Sequence, residues 1–222
     1  DLETAIEAIF SLEPMSSYRN LFNIYKVYAV SETEIIGNNT ALQTAVGSDG
    51  YMMSDSYICN SYAALACPGS GIHGTGTSLN NATIIVVINS DNDHGISYTS
   101  VSRNPGDYIS DYGQSCEAMA FIGKGTNEEV FNGTVLHEFG HAFAKLADEY
   151  YSTGEMGENA NNYMIESDSN TRKNKNVDYT NDPLSIKWHQ FLNDNRYNGV
   201  VGIFEGGHAN YDKGVWRPSE NS

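Results

Sequence analysis

The stretch TVLHEFGHAFAKLADEY, residues 134–150, holds two histidines four positions apart, and a glutamate directly follows the first one. On a helix this spacing turns His137 and His141 to the same face, about 6 Å apart along the axis. Their imidazoles can then bind one metal ion. Glu138 lies one position further round the helix, where its carboxylate can reach a water on that ion without binding the ion. Such a set predicts metal-assisted hydrolysis, in which zinc polarises a carbonyl and the carboxylate takes a proton from the zinc-bound water.

The H-E-x-x-H pattern is typical of zinc metallopeptidases, but a pattern with three fixed positions also occurs by chance. The alternative is a pair of core histidines that are merely hydrogen-bonded. The residues around the motif favour the metal site, because apolar side chains are predicted on the opposite side of the helix. They are Leu136, Phe139, Phe143 and Leu146.

A catalytic zinc site needs a third protein ligand, and the sequence leaves its identity open. The metzincin pattern puts a glycine and a ligand at positions that Ala144 and Ala147 occupy here. Asp148 is the nearest candidate, but on a straight helix it lies about 10 Å beyond His141 along the axis. It can bind the ion only if the helix ends soon after His141 and the chain turns back. The other candidates are Glu149, Glu155, Glu158, Glu166, Glu205 and His208.

Composition excludes some classes of function. The formal net charge of −16 over 222 residues would repel phosphate backbones, so nucleic acid is not an expected partner. No apolar run approaches about 18 residues, so no membrane span is expected. The dispersed acidic charge is ordinary for a secreted or extracytoplasmic protein. Three cysteines, at 59, 67 and 116, are too few for a disulfide scaffold, and we expect buried free thiols.

Helices and strands are predicted to alternate over the first two thirds of the chain, which indicates an α/β fold. Apolar spacing predicts helices at 1–10, 55–67 and about 127–147. Runs of branched and aromatic residues predict strands at 22–30, 83–90, 96–101 and 118–123. The run at 83–90 is continuously apolar, as in a parallel strand covered on both faces, whereas 96–101 alternates and suits an edge. TNEE at 126–129 has the form of a capping box for the long helix.

Residues 148–222 are predicted to be rich in loops. Their Asn-rich and Gly-rich stretches show little periodicity, apart from a short helix predicted at 184–195. The terminal Gly-rich and aromatic segment suggests packed, irregular structure. We therefore expect one catalytic domain over residues 1–222, with an α/β part at 1–147 and an irregular part at 148–222.

HEFGHAFAKLADEY resembles the signature of the M64 family of metallopeptidases, the IgA peptidase family, in which H-E-x-G-H is followed by L-x-D-E-Y. FNIYKVYAV, VVINS and GIFEGGHANYDKGVWRPSENS are also similar to family segments. The resemblance implies a secreted bacterial zinc endopeptidase with a metzincin-like fold, namely a twisted, mostly parallel sheet with an antiparallel edge strand and a long active-site helix. It implies zinc held by His137, His141 and Asp148, with Glu138 as general base. It also implies a methionine turn just after RPSEN, whereas the last methionine is Met164.

The same resemblance implies a protein or glycoprotein substrate, with immunoglobulin as one candidate, bound in extended form along the edge strand at 96–101. It places the protein outside the cytoplasm, either released, on the bacterial cell surface or in the periplasm. Two other functions stay open at this point. One is a non-catalytic glycoprotein-binding module that keeps the peptidase fold, and the other is a zinc amidase acting on cell-wall substrates. The sequence gives neither the cleavage site nor the oligomeric state.

Overall fold

The computed structural model of the protein describes residues 1–33, 35–37, 39–48, 50–66, 79, 82–98, 116, 118–151, 174–209 and 211–220. The chain divides into two compact units, Asp1–Phe143 and Ala144–Ser222. The predicted organisation as one catalytic domain stays a prediction. Within the part of the chain that is described, no helix is long and apolar enough to cross a membrane.

The helices and strands follow one another in mixed order. The helices are α1 (Leu2–Ile9), α2 (Met15–Tyr18), α3 (Ser56–Ala66), α4 (Glu128–Ala144) and α5 (His189–Leu192). Short 3-10 turns span Arg19–Leu21 and Asn195–Tyr197. The strands are β1 (Ala45–Val46), β2 (Met52–Met53), β3 (Thr83–Ile88), β4 (Gly95–Tyr98), β5 (Ala118–Gly123), β6 (Phe204–Gly207) and β7 (Tyr211–Arg217). This content confirms the predicted α/β class.

The central sheet of the first unit has the order β3-β5-β4 among the described residues. β3 runs parallel to β5, and β4 is antiparallel to β5 at the edge. The described sheet is thus mixed, with one parallel and one antiparallel pair, and its antiparallel edge strand agrees with the prediction. β4 is described only as far as Tyr98, whereas the predicted strand extends to residue 101. Every residue of β5 is buried, as its central position requires.

Alternate residues of β5 pack against different helices, because side chains along a strand point to opposite faces. Ile122 contacts α1 and the apolar face of α4, and Ala118 and Ala120 lie against Ala142 of α4. These small side chains let the helix backbone come close to the sheet. Met119 packs on the other side in a cluster with Cys59 of α3. The sheet therefore fixes the position of α4, the helix that carries the H-E-x-x-H motif.

Cys59 and Cys116 are buried and form no disulfide among the described residues, as predicted, and Cys67 lies outside those residues. Burial, together with the smaller effect of the Asp55 charge, raises the pKa of the Cys59 thiol from 9.0 to about 12. Both cysteines belong to the apolar cluster on the α3 side of the sheet. They behave as small apolar core residues.

The second unit contains an antiparallel pair, β6 and β7, with an irregularity between Glu205 and Gly207. Its core consists of Val177, Tyr211 and Val215, which are all buried. The prediction of an irregular C-terminal segment was wrong here, because two strands pair across it. The glycine-rich sequence did not indicate this hairpin, because glycine is disfavoured in strands and often marks a bulge.

The prediction of a strand at 22–30 was also wrong, because the segment has no regular secondary structure. Tyr28 and Val30 are 70% and 84% exposed. Branched and aromatic residues fit a pleated, half-buried surface, but they form a strand only where a neighbouring strand pairs with them. The predicted helix at 184–195 is shorter than expected and consists of α5 followed by a 3-10 turn.

Candidate metal centre

Helix α4 begins at an asparagine cap. The Asn127 side-chain oxygen accepts hydrogen bonds from the backbone N–H groups of Glu129 at 2.9 Å and Val130 at 3.2 Å. The cap is therefore Asn127, one position after the threonine of the predicted capping box. Glu128 and Glu129 in the first turn also favour this end, because the N-terminus of a helix carries partial positive charge.

The buried stripe of α4 differs in part from the predicted one. Phe131, Val135, Phe139 and Ala142 face the sheet and α1. Phe143 is 44% exposed, although it was predicted to be on the apolar side. This stripe leaves the two histidines on a different face, because His137 is exposed and His141 is partly exposed. The burial of one face thus makes the other available to a ligand.

His137 and His141 point towards each other. Their Nε2 atoms lie 3.0 Å apart, and their rings are nearly perpendicular, with centroids 4.5 Å apart. Two nitrogens that bind one tetrahedral zinc ion at about 2.0–2.1 Å lie about 3.3 Å from each other. The two Nε2 atoms therefore have the spacing that a shared metal ion requires.

Glu138 is on the same helix, but its side chain is only 5% exposed. Its carboxylate oxygen Oε2 accepts a hydrogen bond of 2.6 Å from the Ser97 hydroxyl on β4. The same hydroxyl lies 2.9 Å from the backbone oxygen of Glu138. A buried carboxylate requires such a donor, because burying a charged group without hydrogen bonds costs several kcal/mol.

Helix α4 ends at Ala144, three residues earlier than predicted, because Lys145 adopts a left-handed backbone with φ of +58°. This conformation commonly ends helices, although glycine usually occupies it. The following residues have no regular structure up to Tyr150. The backbone oxygen of Asp148 accepts a hydrogen bond of 2.7 Å from the His208 N–H, and the Tyr150 oxygen accepts one of 3.0 Å from the Ala209 N–H.

The early helix end meets the condition under which Asp148 could join the histidines. His137, His141 and Asp148 each offer one ligand atom, and the three atoms lie within 4.8 Å of one another. Two imidazole nitrogens and a carboxylate oxygen form a donor set that suits zinc, and a catalytic site keeps its fourth position for water. Among the described residues, this group could therefore hold a metal ion.

Glu149 is directed into a different set of contacts. Its Oε1 accepts a hydrogen bond of 2.9 Å from the Asn176 side chain, and its Oε2 accepts a short hydrogen bond from the Ser219 hydroxyl. Glu205 accepts a hydrogen bond of 3.1 Å from the Gly214 N–H. Neither carboxylate belongs to the group of possible metal ligands, and His208 does not belong to it either. The remaining candidates Glu155, Glu158 and Glu166 lie outside the described residues.

Sequence reasoning missed two polar residues close to these groups. Ser97 contacts Glu138, and Asn176 contacts both Ala147 and Glu149. Nothing in the sequence around Asn176 marks it. For Ser97 the sequence gives only its place on the predicted edge strand at 96–101.

A comparison with known protein families gives a match. A model of the family described as IgA Peptidase M64 matches residues 1–197, which is most of the chain. The match places the protein among the peptidases. The chain belongs to the M64 family of metallopeptidases. A search of curated proteins finds no match.

Proposed function

We propose that the protein is a zinc-dependent endopeptidase in which His137, His141 and Asp148 hold the metal ion and Glu138 is the general base. The observation that carries the proposal is the approach of the three ligand atoms to within 4.8 Å of one another. The next residue along α4 after the first histidine is a glutamate whose carboxylate is held by a hydroxyl. Membership of a metallopeptidase family supports the same function.

In this proposal zinc, when bound, polarises the scissile carbonyl and lowers the pKa of a bound water. Glu138 takes the proton of the attacking water on its carboxylate and later gives it to the leaving amine. The two histidines and Asp148 keep the reacting groups in place, because all three are attached to a short, continuous piece of chain. Burial of Glu138 keeps its carboxylate away from bulk solvent, where it would lose its orientation.

We further propose that the substrate is a protein or glycoprotein, with an immunoglobulin as one candidate, since the matched family is described as IgA Peptidase M64. The substrate would lie extended beside β4, which is at the edge of the described sheet. An extended peptide can add to an exposed strand edge through backbone hydrogen bonds. We also propose that the protein acts outside the cytoplasm, in keeping with its strongly acidic composition.

The test combines zinc content with digestion of casein. Elemental analysis is expected to find one zinc per wild-type chain, and Asp148→Asn and His141→Ala are expected to lose it. Glu149→Gln is the matched control for Asp148→Asn, because it changes the neighbouring acid to its amide and is expected to keep the zinc. Glu138→Gln is expected to keep the zinc while kcat falls by about 10²–10⁴-fold.

Any other result would contradict a part of this proposal. Full zinc content in Asp148→Asn would remove Asp148 from the ligand set and direct the search to the candidates outside the described residues. Zinc binding without digestion of casein or of immunoglobulin A would contradict the peptidase. Loss of zinc in Glu138→Gln would mean that this glutamate supports the site rather than acting as its base.

A further inference from the structure

The edge strand β4 approaches the glutamate of the motif with two small residues on one face. Residues 95 and 97 are two positions apart, so their side-chain positions point to the same side of the strand. Ser97 donates a hydrogen bond of 2.6 Å to Oε2 of Glu138. A Cβ atom at Gly95 would lie 2.6 Å from Cγ and 2.7 Å from Oε1 of the same side chain. Both positions on the strand thus touch one carboxylate, from two directions.

The two carboxylate oxygens therefore have different surroundings. Oε2 is engaged by the Ser97 hydroxyl, and a hydrogen bond to a charged acceptor at this length is strong. Oε1 lies on the side that packs closely against Gly95, where a Cβ atom would also lie 2.7 Å from Cγ2 of Thr134, so only glycine fits between the strand and the helix. The carboxylate is therefore held on one side by a hydrogen bond and on the other by close packing.

From this geometry we propose that Ser97 and Gly95 are positioning residues for Glu138, which together hold its carboxylate in one orientation. The proposal rests on the proposed role of Glu138 as general base. Ser97 fixes Oε2 by its hydrogen bond, and Gly95, which has no Cβ, lets the carboxylate lie directly against the strand. The carboxylate takes the proton of the attacking water and later gives it to the leaving amine, while Ser97 keeps its own proton throughout.

A purely structural role for Ser97 is the competing explanation, since its hydroxyl also lies 2.9 Å from the backbone oxygen of Glu138. In that case the serine would tie the strand to the helix and have no effect on the chemistry. The two explanations differ in what Ser97→Ala changes. A structural tie affects the stability of the fold, whereas a positioning residue affects kcat at constant zinc content and constant KM.

The first experiment compares Ser97→Ala, Ser97→Thr and Gly95→Ala in the zinc-loaded protein. Ser97→Ala is expected to lower kcat by about 10- to 100-fold, the loss that one hydrogen bond to a charged group implies, with zinc content and KM unchanged. Ser97→Thr keeps the hydroxyl and is expected to restore most of kcat. Gly95→Ala is expected to lower kcat although Ser97 is intact, because its methyl group would displace the carboxylate. Wild-type kcat in Ser97→Ala or Gly95→Ala would overturn the proposal.

The matched control is Ser61→Ala. The Ser61 hydroxyl donates a hydrogen bond of 2.9 Å to the backbone oxygen of Tyr57 on an exposed face of α3. This variant loses the same hydroxyl from a serine that touches no part of the candidate site. It is expected to keep the kcat of the wild type. A fall in kcat equal to that of Ser97→Ala would mean that the assay reports general damage, and this would also overturn the proposal.

The second experiment needs no activity. Urea unfolding of the chelator-treated protein is measured for wild type, Ser97→Ala, Glu138→Gln and the double variant. A coupling free energy different from zero between the two positions is expected, because the hydroxyl and the carboxylate are in direct contact. Additive effects would overturn the contact on which the proposal depends. If zinc binds and no substrate is cleaved, the proposed function fails and the catalytic role of Ser97 fails with it, while the coupling still decides whether the contact exists.

Discussion

The side chain of Asn176 hydrogen-bonds both backbone groups of Ala147, because its oxygen accepts from the N–H and its nitrogen donates to the C=O, each at 2.8 Å. A neighbouring strand would make the same pair of bonds. The nitrogen also donates a hydrogen bond of 2.9 Å to Glu149. Asn176 is itself buried, so this amide substitutes for a strand beside a segment that has no regular structure. The two contacted residues flank Asp148, the proposed metal ligand.

Replacement of Asn176 should therefore weaken both the fold and the metal site. Asn176→Ala leaves the partly buried backbone groups of Ala147 without this partner, and we expect the free energy of unfolding to fall by about 2–4 kcal/mol. Zinc affinity should fall as well, because the backbone on either side of Asp148 is no longer fixed. Urea unfolding of the metal-free protein and a zinc titration measure the two effects separately. Asn198→Ala, in an exposed turn, is the control and should change neither.

The left-handed backbone conformation of Lys145 leads to a second prediction, which concerns the stability of variants at this position. Glycine adopts this conformation without cost, whereas a β-branched residue is strongly disfavoured there. Lys145→Gly and Lys145→Val both remove the lysine side chain, so a difference between them reports the backbone alone. Lys145→Val should be less stable than Lys145→Gly by about 1–2 kcal/mol in urea unfolding. Lys145→Gly should keep one zinc per chain, and equal stability of the two variants would contradict a left-handed residue at this position.

The same residue shows why part of the candidate site could not be predicted from the sequence. The spacing of His137 and His141 was enough to predict a shared face, since the helical period decides it. The position of Asp148 depended on where the helix ends, and AFAKLA contains no glycine or proline to mark an end. Lysine in a left-handed conformation is uncommon, so the early end at Ala144 had no local signal.

The central sheet and the hairpin likewise differ in how far the sequence predicts them. The strand at 118–123 was predicted with its observed bounds, because a short apolar run between polar residues indicates a buried strand in a parallel sheet. β6 and β7 were missed, since Gly206 and Gly207 argue against a strand locally. Gly206 has φ of +96°, and a Cβ there would lie 2.6 Å from the Tyr151 ring. Glycine is required at position 206 because Tyr151, which is distant in sequence, packs against it. The local sequence does not reveal this contact.

Burial of the Cys59 thiol predicts that the folded protein loses stability at alkaline pH. The folded pKa of about 12 lies above the ordinary value of 9.0, so the unfolded chain releases this proton first. The stability linked to the thiol is therefore fully present below about pH 9 and is lost as pH rises towards 12, by at most about 1.4 kcal/mol per pH unit. Between pH 8 and pH 10.5 the wild type should lose about 2 kcal/mol more than Cys59→Ala, measured by urea unfolding. Cys59→Ala retains all the tyrosines, so their contribution to the pH dependence is the same in both proteins. If the difference in unfolding free energy between wild type and Cys59→Ala stayed constant with pH, this would contradict the raised pKa of Cys59.

Removal of the metal should lower the stability of the folded protein, because an ion that binds the folded state alone stabilises it. At a free zinc concentration 1,000 times the dissociation constant this stabilisation is about 4 kcal/mol. Wild type treated with a chelator should unfold at a lower temperature, and added zinc should restore the original value. Asp148→Asn should show a much smaller zinc-dependent shift, while Glu138→Gln should keep the shift in full, since Glu138 is proposed to contact water and not the ion. A full shift in Asp148→Asn would show that the ion is held without this carboxylate, whatever the activity of the variant.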